Sequence, residues 1–129
     1  MKYKLLLIED NLIDQLVTSQ LLKKNLGLTD INIANNGREG MLWLKNSDIN
    51  FNELIILLDI RMPEMDGFEF LSEYEKLPES LKHKTRIFML SSTLDSEDIK
   101  RAEDNNYVQS LLSKPLPVNE FKRILFSDN

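Results

Sequence analysis

Leu54-Ile55-Ile56-Leu57-Leu58-Asp59 is the stretch that decides how this chain folds. Apolar residues in an unbroken row, without polar alternation, read as a strand buried on both faces, as in a parallel sheet covered by helices. Asp59 ends the run, and Ile60-Arg61-Met62-Pro63-Glu64-Met65-Asp66-Gly67 follows as a loop rich in turn residues. In open α/β sheets the chemistry lies outside the carboxyl ends of the strands. Asp also opens turns for local reasons, so this residue alone leaves turn and site equally open.

Working outward, strands and helices alternate. Residues 3–8 read as a first short apolar strand and 11–26 as a helix, with Asn11 as cap, Asp14 favouring the first turn and Gly27 just past the end. Leu12, Ile13, Leu16, Val17, Leu21 and Leu22 recur near helical spacing and predict one wide buried face. Residues 30–34 alternate as an edge strand does, and Asn35-Asn36-Gly37 is a turn signal before a helix over 38–46, where Trp43 is read as packing and partly exposed. After the 54–59 strand come a helix over 68–76, a polar surface loop over 78–85, a strand over 86–90, a helix over 96–105 capped by Ser96, a strand over 108–112 and a helix over 118–126. Strand and helix alternate through the whole chain, which predicts parallel strands, right-handed crossovers and helices on both faces. The 96–105 helix has Ile99 and Ala102 as its clear apolar residues, so it buries little area and belongs at the low-stability end of the fold.

The chain has 129 residues, 42% hydrophobic and 29% charged, which fits one globular domain over 1–129. It has no cysteine, which excludes a disulfide framework and thiolate metal sites. The net charge of −5 argues against nucleic acid or an anionic membrane as the main partner. Leu5-Leu6-Leu7-Ile8 is too short for a signal peptide and runs into Glu9-Asp10, so the cytoplasm is the default location. His83, in the charged stretch Leu81-Lys82-His83-Lys84, reads as exposed and inert.

Polar residues close the other strands as well. Glu9-Asp10 follows the first, Ser91-Ser92-Thr93 the fourth and Ser113-Lys114-Pro115 the fifth. In a parallel sheet these ends share one edge. Taken singly, each is explained by helix caps, turns or strand termination; together at one edge they predict a site. Two like unit charges ~4 Å apart repel by about 4 kcal/mol at an effective dielectric near 20, so clustered carboxylates drive at least one pKa upward. A divalent cation relieves the repulsion, and an all-oxygen ligand set selects a hard ion, Mg2+ above others. Lys114 supplies a compact positive charge for a phosphate and Ser91 a hydroxyl. The expected chemistry is a phosphoryl group carried on Asp59, with the carboxylate as nucleophile.

With these motifs in this order, the chain resembles the receiver domain of two-component response regulators over its whole length. The marks are Glu9-Asp10, Asn36-Gly37 with Glu39, Asp59 with Met62-Pro63 and Met65-Asp66-Gly67, Ser91, and Lys114-Pro115. The resemblance implies a flavodoxin-like, doubly wound five-stranded parallel sheet of order 2-1-3-4-5 flanked by five helices, as a single receiver with no output domain. It implies Asp59 as phosphoacceptor, supplied by the phosphohistidine of a sensor kinase or phosphotransfer protein. Asp10 and Asp59 would bind Mg2+ through side chains, Glu9 partly through water and Arg61 through its backbone carbonyl. Lys114 would pair with phosphoryl oxygens, Ser91 would move toward them, and the Lys114-Pro115 bond would be cis. A downstream protein would bind the 96–105 helix, the 108–112 strand and the 118–126 helix.

Two positions depart from the family pattern. Leu111 stands where relatives often carry an aromatic ring that swings inward on activation, so signalling would rest on Ser91 and on ordering of the 96–105 helix. Arg61 is long and lies beside the site, where it screens the phosphoryl group, contacts a partner, or stands exposed without a role. No separate substrate is expected. An aspartyl-phosphate phosphohydrolase would need an acid where Arg61 stands. A receiver-shaped interaction module that takes no phosphate is the remaining alternative.

Overall fold

The structure, a computed structural model, describes residues 3–47 and 53–126. Five parallel strands, β1 (Tyr3–Ile8), β2 (Ile31–Ala34), β3 (Glu53–Asp59), β4 (Thr85–Ser91) and β5 (Val108–Ser113), form one sheet in the order β2-β1-β3-β4-β5. The helices between and after them are α1 (Leu12–Leu26), α2 (Gly37–Asn46), α3 (Gly67–Tyr74), α4 (Glu79–Lys82), α5 (Ser96–Asp104) and α6 (Val118–Phe126).

The period of two along a strand divides the core. Leu6, Ile8, Leu54, Ile56, Leu58, Ile87 and Met89 face α2, α3 and α5, where Met41, Leu44, Phe70, Leu71 and Tyr74 meet them. Leu5, Leu7, Ile55, Leu57, Phe88 and Leu90 face α1 and α6, with Leu22, Phe121 and Leu125. Both faces of β3 are therefore covered, which is why its sequence is continuously apolar.

The structure corrects the sequence reading in three places. Among the described residues six helices flank the sheet rather than five, because residues 79–82 form a short helical turn inside the expected 78–85 loop and bury Leu81 beneath it. The cap of α5 is Asp95, whose side chain accepts the Asp98 N–H, and Ser96 is the first helical residue.

The third correction concerns α1. Its buried face is Gln15, Thr18, Ser19 and Leu22, at the i, i+3, i+4, i+7 spacing of a helical stripe. Leu12, Ile13, Leu16 and Val17 are exposed at 74, 70, 61 and 40%. Polar Gln15 goes inside because its amide has partners there: it donates to the Glu9 carbonyl at 2.7 Å and to Asn35 Oδ1 at 2.8 Å. A satisfied buried amide carries little of the usual desolvation cost. At the other end of α1, Gly27 takes φ 68°, and its N–H reaches the Leu22 and Lys23 carbonyls.

Candidate functional site

The carboxyl ends of β1, β3, β4 and β5 lie side by side, and the predicted residues stand on them. Asp59 is the last residue of β3, 5% exposed, opposite Leu90 of β4. Glu9 follows β1 and is 1% exposed; its backbone N–H bonds to Ala34 of β2, which fixes its height above the sheet. Asp10 is exposed. Glu9, Asp10 and Asp59 each offer a carboxylate oxygen, all within 4.8 Å of one another.

The loop after Asp59 is held tightly. Met65 N–H turns back to the Pro63 carbonyl at 2.7 Å, with Glu64 between them at φ 68°. Asp66 caps α3 and forms a reciprocal capping box with Glu69. Gly67 is needed for close approach: a Cβ there would lie 2.7 Å from the Asp59 carbonyl oxygen and 2.8 Å from Met89 Cε. The Gly67 N–H bonds to the Ile60 carbonyl at 2.8 Å, locking α3 against the end of β3.

Lys114 enters from the end of β5, through a cis Lys114-Pro115 bond. Its backbone N–H bonds to the Ser91 carbonyl, tying β5 to β4. Its ammonium lies 2.8 Å from Glu9 Oε1, 3.1 Å from Asp14 Oδ2 and 3.3 Å from Asp59 Oδ1. The Asp14 contact has full hydrogen-bond geometry. Glu9 Oε1, although close to the ammonium, has no directed hydrogen bond among the described residues.

These charges set the titration of the cluster. Burial first, and the neighbouring Glu9 carboxylate second, push Asp59 up from 3.8 to about 7 against the pull of Lys114. Burial works to lower the Lys114 pKa, but its contacts with Glu9, Asp59 and Asp14 outweigh it and raise the value. Oxygen-only donors and surplus negative charge fit a hard divalent cation.

Ser91 is buried, and its hydroxyl is turned toward its own loop. It donates to the Thr93 carbonyl and accepts the Thr93 N–H at 3.2 Å. The Arg61 guanidinium reaches away from the carboxylates to α5, where it pairs with Asp98 and lies 3.8 Å from Asp95. Leu111 is partly buried and, with Leu94, Ile99, Ala102 and Val108, lines a groove of about 410 Å³ between α5 and β5.

A family model described as "Response regulator receiver domain" matches residues 5–126. The chain belongs to that family. This receiver is 32% identical to a response regulator receiver protein from Dyadobacter fermentans, whose crystal structure superposes with a TM-score of 0.89 over 95% of this chain and 94% of that one. It is 30% identical to the probable C4-dicarboxylate response regulator DctR of Bacillus subtilis, over 96% of this chain and 51% of the relative, so it spans about half of that protein. It is 26% identical to a probable chemotaxis protein CheY of Rhizobium etli, over 94% of this chain and 88% of that one.

The structure brings Glu9, Asp10, Asp59 and Lys114 together as the sequence predicts, and leaves Ser91 adjacent but engaged with Thr93. The sequence assigns Asp14 to the first turn of its helix and gives Asp14, Gln15 and Asp98 no part in the site. Asp14 and Asp98 each look like a first-turn acid placed for its helix dipole. A signal for Asp14 was present: it lies one helical turn after Glu9-Asp10, at the edge that also receives Lys114. His83 is exposed, as expected.

Proposed function

We propose that this receiver is the phosphoacceptor of a two-component phosphorelay, and that its phosphorylated form binds a partner protein. The observation that carries this is the surrounding of Asp59: a buried carboxylate at a strand end, two further carboxylates within 4.8 Å and an ammonium at 3.3 Å. An Asp59 oxygen attacks the phosphorus of a phosphohistidine. The P–N bond breaks, and the imidazole nitrogen keeps the electron pair and gains a proton. Lys114 meets the phosphoryl oxygens as a point charge. Glu9, Asp10 and Asp59 with the Arg61 carbonyl would hold Mg2+, which when bound neutralises phosphoryl charge and favours the anionic, nucleophilic form of Asp59.

A phosphodonor protein needs a surface beside the site. The exposed Leu12, Ile13, Leu16 and Val17 of α1 supply apolar area there. The cytoplasm is the location this reading assigns; separately, among the described residues no helix is long and apolar enough to cross a membrane. Output uses the face made by α5, β5 and α6, with the signal passing through Ser91 as it exchanges Thr93 for a phosphoryl oxygen. No separate substrate is turned over: the side chain two residues after Asp59 is Arg61, engaged with Asp98, and offers no general acid.

Intact-mass measurement with a small phosphodonor and Mg2+ tests the assignment. One phosphoryl adduct is expected on the wild type and none on Asp59→Asn. A wild type without adduct, or an adduct persisting on the variant, overturns it.

A further inference from the structure

We propose that Asp14 is a positioning residue of the phosphoryl site: it holds Lys114 in the resting protein and gives it up when Asp59 is phosphorylated. This rests on Asp59 being the phosphoacceptor. An ammonium has three N–H donors and no acceptor. In the resting site three carboxylate oxygens surround it, from Glu9, Asp14 and Asp59, at 2.8, 3.1 and 3.3 Å. A phosphoryl group on Asp59 brings new acceptor oxygens to an ammonium already in contact with three carboxylates, and a carboxylate that withdraws frees a donor for them.

The three differ in freedom to withdraw. The side chains of Glu9 and Asp59 are 1 and 7% exposed, and both residues sit at strand ends. Glu9 Oε2 is further held by the Asn11 N–H at 3.1 Å. Asp14 is 39% exposed on the first turn of α1, beside an open cavity of about 430 Å³ lined by Val17, Thr18, Ser92, Lys114 and Pro115. Its carboxylate can turn into water without leaving a buried charge. Yet in the resting protein it takes the directed hydrogen bond of Lys114. Asp14 thus competes with the phosphoryl group for its main positive partner and acts as a brake on phosphorylation. The Mg2+ ligands are untouched by this role.

The test measures the rate of adduct formation by intact mass, with saturating Mg2+, on the wild type and Asp14→Asn. Two donors are used, the monoanion phosphoramidate and the more highly charged acetyl phosphate. Removing an ion pair of this exposure should speed the reaction by about three- to fivefold, equally with both donors. A rate that is unchanged or falls overturns the proposal. A gain confined to acetyl phosphate also overturns it, since that is what a general negative field at the mouth of the site would produce. If the wild type takes no adduct from either donor, the phosphoacceptor reading fails and this role falls with it. A wild type that is phosphorylated normally while Asp14→Asn behaves identically removes only the role of Asp14.

Discussion

Asp59→Asn should make this receiver more stable, and increasingly so as pH rises. A carboxyl that would ordinarily titrate at 3.8 keeps its proton to about 7 in the fold, because burial and Glu9 oppose its charge. Between those values the folded state binds more protons than the unfolded chain, so stability falls as pH rises from about 4 to about 7 and is level above. At about 1.4 kcal/mol per pH unit, the cost of an ionised Asp59 reaches about 4 kcal/mol at pH 8. Asparagine keeps the shape and removes the charge. Urea unfolding in EDTA should show the variant ahead of the wild type by about 1 kcal/mol at pH 4.5 and by up to about 4 kcal/mol at pH 8. Saturating Mg2+ should narrow the gap by stabilising the wild type alone. A difference between the two proteins that stays constant from pH 4.5 to 8, or a variant less stable at pH 8, would show that the cluster is not strained by its own charge.

Mg2+ at tenfold excess over its dissociation constant should stabilise the wild type by about 1.4 kcal/mol in a thermal or urea titration; Asp10→Ala should lose that response, and keeping it would put the ion elsewhere. Arg61→Ala leaves the buried Asp98 carboxylate without its cation. It should cost about 1–2 kcal/mol, less than for a fully buried pair because the guanidinium is largely in water, and should speed amide exchange in α5; unchanged exchange would mean that α5 does not depend on the pair. In the wild type, α5 should exchange faster than α3 and slow when beryllium fluoride and Mg2+ occupy the site; equal protection in both states would remove α5 from the response. Gly67→Ala forces a methyl against the Asp59 carbonyl and Met89. It should cost about 1–3 kcal/mol and slow adduct formation, and an adduct rate equal to wild type would show that the end of β3 tolerates displacement.

Much of the fold was legible because its signals are local. The unbroken run before Asp59 identified a strand covered on both faces, and the polar residues closing each strand marked the edge where Glu9, Asp10, Asp59 and Lys114 meet. The α1 face was misread because Leu12, Ile13, Leu16 and Val17 make a helical pattern as good as the buried one. Hydropathy counts apolar residues, but it does not register that Gln15 finds both a carbonyl and an amide oxygen inside. The short helix over Leu81 was hidden in a polar stretch, where one buried leucine is too little for a periodic signal.

The sequence by itself determined the order of elements, the parallel sheet and the identity of the carboxylates, hydroxyl and ammonium at its edge. These follow from hydrophobic period, caps and strand ends, all short-range properties of the chain. Only the tertiary structure decided the partners. Asp14 holds Lys114 across a separation of 100 residues, Arg61 crosses to Asp98, and Ser91 rests on Thr93 rather than on the acidic cluster. An acid at the first turn of a helix looks the same in sequence whether it serves the dipole or a lysine from another strand. The choice depends on which charges the folded sheet brings within about 3–4 Å, where hydrogen bonds and ion pairs form.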